Sequence, residues 1–286
     1  MQAGFSPTRN AVFNQQPRGD VVTTTLQPSR LFFAACLIAL GITGLVNGDF
    51  ALVWQHVPAH VPGRTILAYI CAVIEVAFGI GLLWQRTLAW TCSLLFPYMV
   101  LWLVLLQVPG VIGAPLDAGA WGSVGEIAII TAGAWCLFAM HAGKARQGDP
   151  VRTSRGVLAS RWLLIVALPM IGVEVIVDAI AAGDNIMQPW LQVLPLPMAW
   201  ACFTGICSIA TALALLFGVW PRLAATLEAA MLALISIVYW GPDLYTGRTA
   251  TTAFIISFLI AAGVWVVADS WRGGRWFGTG RPVWKT

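Results

Sequence analysis

Apolar residues in this chain fall into long unbroken runs separated by short polar stretches. Eight runs stand out, near 31–48, 66–85, 88–109, 122–141, 161–180, 198–219, 222–241 and 251–270. Crossing the hydrocarbon core as a helix takes about 20 apolar residues, so each run predicts one transmembrane helix. Only "WQRT" (Trp84 to Thr87) parts the second run from the third, and only "WPRL" (Trp220 to Leu223) the sixth from the seventh. Both predict tight helical hairpins. The expected fold class is all-α: a polytopic membrane protein of eight transmembrane helices, arranged as two tandem four-helix bundles.

Composition supports this pattern. Hydrophobic residues make up 59% of the 286 residues and charged residues 10%, against about 25% charged in soluble domains. So little charge cannot cover a water-facing surface, and the expected partner is the lipid bilayer. Fifteen tryptophans fit a residue enriched where lipid meets water. The net charge of +4 comes from basic residues between apolar runs, with no basic face carrying interleaved aromatics, so no nucleic-acid partner is expected. The first 30 residues are polar and lack an early apolar segment, so the first span is expected to act as the targeting signal.

Basic residues set the orientation. Arg9, Arg18, Arg30, Arg86, Lys144, Arg146, Arg152, Arg155, Arg161, Arg222, Arg272, Arg275, Arg281 and Lys285 fall on one side of an eight-span chain, and Arg64 and Arg248 on the other. The positive-inside rule then places both termini in the cytoplasm and the chain in the cytoplasmic (inner) membrane.

The chain also repeats itself. Arg30 and Gly41 match Arg161 and Gly172 at a spacing of 131. Trp54, Val57, Cys71, Trp84 and Arg86 match Trp190, Val193, Cys207, Trp220 and Arg222 at a spacing of 136. "ITAGAW" from Ile130 matches "IAAGVW" from Ile260. Two units in one orientation predict an axis along the membrane normal. The expected division is a disordered cytoplasmic N-terminal tail (1–30), a first four-helix unit (31–141), a cytoplasmic linker (142–160), a second unit (161–270) and a basic cytoplasmic C-terminal tail (271–286).

From Val57 to Trp90 the chain places Pro58 and Pro62 in a loop, then Tyr69, then Glu75 before "GIGLL" from Gly79, then Arg86. This order resembles the DoxX family of small four-helix membrane proteins, across 31–141 and more faintly across 161–270. The resemblance implies a component of a quinone- or thiol-linked membrane redox system, with quinone or a respiratory or redox membrane complex as partner, and makes Glu75 the family-matching acid. The chain departs from the family where Thr211 replaces that acid in the second half, and in its doubled length.

Candidate chemistry lies in the acids. Glu75, Glu126, Glu174, Asp178 and Glu228 lie within or near the ends of spans, where an ionisable residue is a functional candidate by default. Glu75, near the bilayer centre, is the leading proton-handling candidate, with Glu126, Glu174 and Asp178 behind it. Glu174 and Asp178 are one helical turn apart and share a face. The bland alternative for Glu75 is a protonated acid bonded to a neighbour such as Tyr98 or Ser93.

His56 and His60 would share a face only in a helical loop, which Pro58 disfavours. The matching loop has no histidine, so no metal site is expected there. His141 lies at the opposite end of a span. Cys36, Cys71, Cys92, Cys136, Cys202 and Cys207 form no C-x-x-C pair and read as packing residues. The sequence identifies no cofactor and leaves enzymatic activity open.

Three functions are therefore carried forward. The first is a DoxX-like redox component with Glu75 handling protons. The second is a small-molecule or proton transporter, and the third a membrane scaffold without catalysis. The lack of a cofactor anchor weighs against an autonomous oxidoreductase. Pro97 and Pro169 lie mid-span at non-corresponding positions, so no paired helix interruption marks a transporter.

Overall fold

The structure, a computed structural model, describes residues 27–51, 55, 57–145, 150–183, 195–272, 275–279 and 283. These residues contain helices and no strand, and eight helices are long and apolar enough to cross a membrane. They are α1 (Pro28–Asn47), α2 (Arg64–Leu83), α3 (Leu88–Gly113), α4 (Ala118–Ala145), α5 (Pro150–Ala182), α6 (Pro197–Phe217), α7 (Pro221–Trp240) and α8 (Arg248–Asp269).

The helix limits have local causes. Pro28, Pro150, Pro197 and Pro221 each open a helix, where a missing N–H costs nothing. Gly48 (φ 61°) and Gly218 (φ 70°) close α1 and α6 in the left-handed conformation that suits glycine. Asp117 caps α4 by accepting the N–H groups of Gly119 (3.3 Å) and Ala120 (3.2 Å).

Two expected limits are corrected. The linker over 142–160 is helical at both ends, because α4 runs to Ala145 and α5 starts at Pro150. Hydropathy marks where a helix meets lipid, and a polar helix can continue beyond that boundary. Likewise α1 starts inside the expected N-terminal tail, with Ser29 and Arg30 already buried. The bulk of that tail and the C-terminal residues past 279, Val283 excepted, lie outside the described residues.

The helices alternate direction, so one face carries the chain ends (the terminal face) and the other the remaining loops (the distal face). α4 and α8 form the centre, with 67% of each span buried against at most 44% for any other. They pack on each other. α3 packs on α4 and α7 on α8, while α1–α2 and α5–α6 are close pairs. The first helix of each half also leans on the last helix of the other, α1 on α8 and α5 on α4. The halves thus interlock.

Lipid supplies no hydrophobic drive between helices, so close approach at small residues matters most. Gly172 and Gly205 bring α5 and α6 together: a Cβ on Gly172 would lie 2.6 Å from the Gly205 carbonyl oxygen. Gly133 and Gly263 do the same for α4 and α8, at 2.7 Å from Cβ to Cα.

Polar ties close both faces. On the distal face Asp49 bridges Arg64 and Arg248 (2.9 Å for the latter), so the two basic residues assigned to that side share one carboxylate. On the terminal face Asp269 accepts from Ser29 and from Arg272 (2.7 Å). Arg161 donates to the hydroxyl (2.9 Å) and carbonyl (2.7 Å) of Ser270 and stacks over Trp271. Its sequence counterpart Arg30 is 2% exposed, and its Nε and Nη2 have no partner among the described residues.

Candidate functional site

Glu75 sits where α2 faces α3, an interface with thin backbone packing. The carboxyl is 2% exposed, and its Oε1 accepts from Gln55 Nε2 (2.8 Å) and from the Tyr98 hydroxyl (3.1 Å). Gln55 is itself held, its Oε1 accepting the Ala51 N–H at 3.2 Å. Around this centre Phe78, Tyr98, Trp102 and Phe50 form a chain of edge-to-face ring contacts with centroids 5.4–6.0 Å apart. The arrangement satisfies a buried acid and pins the segment after α1 into the first half. Ser93 instead donates to the Ala89 carbonyl.

The second half holds a buried acid at the same kind of interface, supplied from the other side. Glu228 of α7 is 2% exposed. It accepts from Ser208 (2.6 Å) and Thr211 (3.0 Å), both on α6. Thr211 is the residue that stands in the position of Glu75. Each half thus buries one acid between its second and third helices, on opposite members of the pair.

Above Ser208 the second half is hollow. A cavity of about 710 Å³ lies among α5, α6, α7 and α8, with Glu126 of α4 in its wall. Asp178, Tyr239 and Trp240 lie at its distal end. At 1.5 Å per residue Asp178 is about 6 Å, and Glu174 and Glu126 each about 12 Å, inward from the distal ends of their helices. Thr204, Ser208, Ser236 and Ser257 add hydroxyls to a wall otherwise built of Ile171, Val175, Leu232 and Ile260. The cavity therefore runs from the distal face to near mid-membrane, and Ser208 links its wall to Glu228.

A π-helical turn shapes this space. Ser236–Trp240 forms such a turn at the distal end of α7, and Leu103–Gln107 forms one in α3. Such turns widen a helix locally and recur at functional sites. The third helix of each half is thus interrupted, without Gly or Pro at the interruption. The two turns are offset along the repeat, 103–107 corresponding to 239–243, and neither is the Gly- or Pro-marked break that the sequence lacks.

The corresponding space in the first half is filled. By the repeat spacings, Ile171, Thr204, Ser208, Met231, Ile235 and Ser257 match Leu40, Ala68, Ala72, Leu95, Met99 and Ile127. All six of the latter are at most 2% exposed. Phe50, Gln55 and Trp102 are also buried in the first half. Where the cavity has Glu174 and Asp178 of the second half, the first half has Thr43 and Asn47, and the counterpart of Glu126 of α4 is Ile256 of α8.

The structure thus brings Glu126, Glu174 and Asp178 around one cavity and leaves Glu75 in a separate, closed site. Sequence reasoning missed Tyr239, Ser236 and Ser257, and it weighed Glu228 without connecting it to Ser208. The available signal was the polar set Thr204, Ser208 and Thr211 along one face of an apolar span. His60 is exposed, and His56 lies outside the described residues, as do Trp54, Trp190 and Val193 of the repeat. Compared with known proteins, the chain matches no family model, no curated protein and no solved structure.

Proposed function

We propose that this chain is a DoxX-like, internally duplicated protein of the cytoplasmic membrane, with both termini cytoplasmic, that takes up a small molecule into the second half from the outer side and serves as a transporter. The observation that carries this reading is the acid-lined cavity reaching from the distal face to mid-membrane. Ligand sites are typically concave, mostly apolar and set with a few convergent polar groups, and this one fits that description. Duplication is supported by the matched helix pairings of the two halves and by Gly133 lying against Gly263. The DoxX resemblance rests on the residues from Pro58 to Arg86.

The redox reading made Glu75 the proton-handling group. Its enclosure by Gln55 and Tyr98 supports a structural role instead, holding α2, α3 and the segment after α1 together. Among the described residues no feature favours quinone as the occupant of the cavity.

The test is water access. In a background lacking the six native cysteines, cysteine at Thr204 or Ser257 should react with a water-soluble methanethiosulfonate added to the distal side. Added to the terminal side, the reagent should leave both inert. Inertness from both sides would sink the reading.

A further inference from the structure

The cavity wall contains three carboxyl groups and, among the described residues, no basic side chain. Glu174 lies in the field of Glu126, Asp178 and Asp117. Among the described residues the ion pairs all lie elsewhere, and no hydrogen bond reaches Glu126, Glu174 or Asp178. Glu174 lies against α4: its carboxyl occupies the space beside Gly122 that any side chain at that position would need.

Carboxylates gathered at membrane depth must keep protons or meet a cation, because an uncompensated charge there is expensive. The described residues supply no such cation around this cavity, and the space itself is large enough to admit one. At the distal end the rings of Tyr239 and Trp240 stand 4.8 Å apart at 76° and line the same space. Aromatic faces attract cations, quaternary ones included. Deeper in, Ile171, Val175 and Ile260 offer an apolar wall. Anionic groups, aromatic rings and apolar wall together describe a ligand with a positive centre and apolar substituents. The volume of about 710 Å³ lies within the range of about 300–1,000 Å³ for small-molecule sites.

We propose that the cavity binds a lipophilic organic cation, a protonated amine or a quaternary ammonium or phosphonium, with its charge against Glu174 and Asp178 and beside the Tyr239–Trp240 pair. This rests on the transporter reading above and names the substrate class of the same site.

Tetraphenylphosphonium and tetraphenylborate have nearly the same size and shape and opposite charge. Equilibrium dialysis of the purified full-length protein in neutral detergent, corrected for empty micelles, compares them directly. The phosphonium should bind saturably at one per chain, and the borate should neither bind saturably nor compete. Glu174→Gln, nearly isosteric, and Asp178→Asn, at an exposed position, should each weaken the phosphonium by about tenfold or more with unchanged size-exclusion profiles. The comparison of the two ions on the native protein needs no variant.

Saturable binding of both ions, unaffected by Glu174→Gln, would overturn the cation class and leave the cavity a ligand site. Binding of neither would overturn the cavity reading along with this proposal. Selective phosphonium binding untouched by both substitutions would place the cation elsewhere and overturn the proposal too.

Discussion

Gly133 of α4 faces Gly263 of α8 so closely that a Cβ on Gly133 would lie 2.7 Å from the Gly263 Cα and 3.2 Å from its carbonyl oxygen. The two glycines hold the same place in "ITAGAW" and "IAAGVW". Across a two-fold axis, contact at the axis joins equivalent residues. A pair of matched glycines meeting between the two most buried helices is the contact that the proposed two-fold axis would place there.

Gly133→Ala should lower the thermal midpoint of the purified protein, because the neighbouring atoms are backbone and cannot turn aside. Overpacking of this kind costs about 1–3 kcal/mol, and Gly263→Ala, 2.9 Å from the Ile129 carbonyl oxygen, should cost a similar amount. Gly110 has nothing within 4 Å of its Cβ position, so Gly110→Ala is the control and should not destabilise. Equal midpoints for all three variants would contradict the close crossing.

Glu75→Gln should express and melt like the native protein, since glutamine keeps an acceptor for Gln55 and Tyr98. Tyr98→Phe and Gln55→Leu should each cost about 0.5–1.5 kcal/mol through a lost hydrogen bond. Cavity labelling at Ser257 should be unchanged in all three. If Glu75→Gln abolishes it, the acid belongs to the functional site and the structural assignment fails.

Asp49 provides the pH dependence. Burial pushes its carboxyl up, but hydrogen bonds from Arg248 and the Phe50 N–H and the charges of Arg248 and Arg64 outweigh this and hold it below its ordinary 3.8. A depressed carboxyl contributes stability that is fully present above the unfolded pKa and lost as pH falls through the folded one. The thermal midpoint should therefore fall more steeply below about pH 4 in the native protein than in Asp49→Asn, which should already melt lower at pH 6. Parallel profiles would show that the bridge contributes nothing.

Leu116 lies on the distal face and is 99% exposed, whereas Thr279 is exposed beyond α8 on the terminal face. With fourteen basic residues on the terminal side and two on the other, cysteine at 116 should be labelled in intact cells by an impermeant maleimide and cysteine at 279 only after permeabilisation. The reverse pattern would invert the topology.

The eight spans were legible in the sequence, and so were most of their limits to within a few residues. Each depends on local properties: apolar length against a bilayer of fixed thickness, prolines at helix starts, glycines at helix ends. The acids within the spans were legible too, because the hydrocarbon core leaves so few.

Which acid shares a space with which was decided only by the tertiary structure. Glu75 ranked first on depth and on family resemblance, yet Gln55 and Tyr98, 20 and 23 residues away, close its site. Glu126 and Glu174, 48 residues apart, meet at one cavity because α4 and α5 pack together and a π-helical turn widens the end of α7. Two homologous-looking halves thus diverge, one filled by Phe50, Gln55 and Trp102 and the other hollow. Hydropathy and spacing determine that a helix crosses the membrane; which of its faces meets a neighbour, and whether side chains fill the gap between them, follows from packing among residues far apart in the chain.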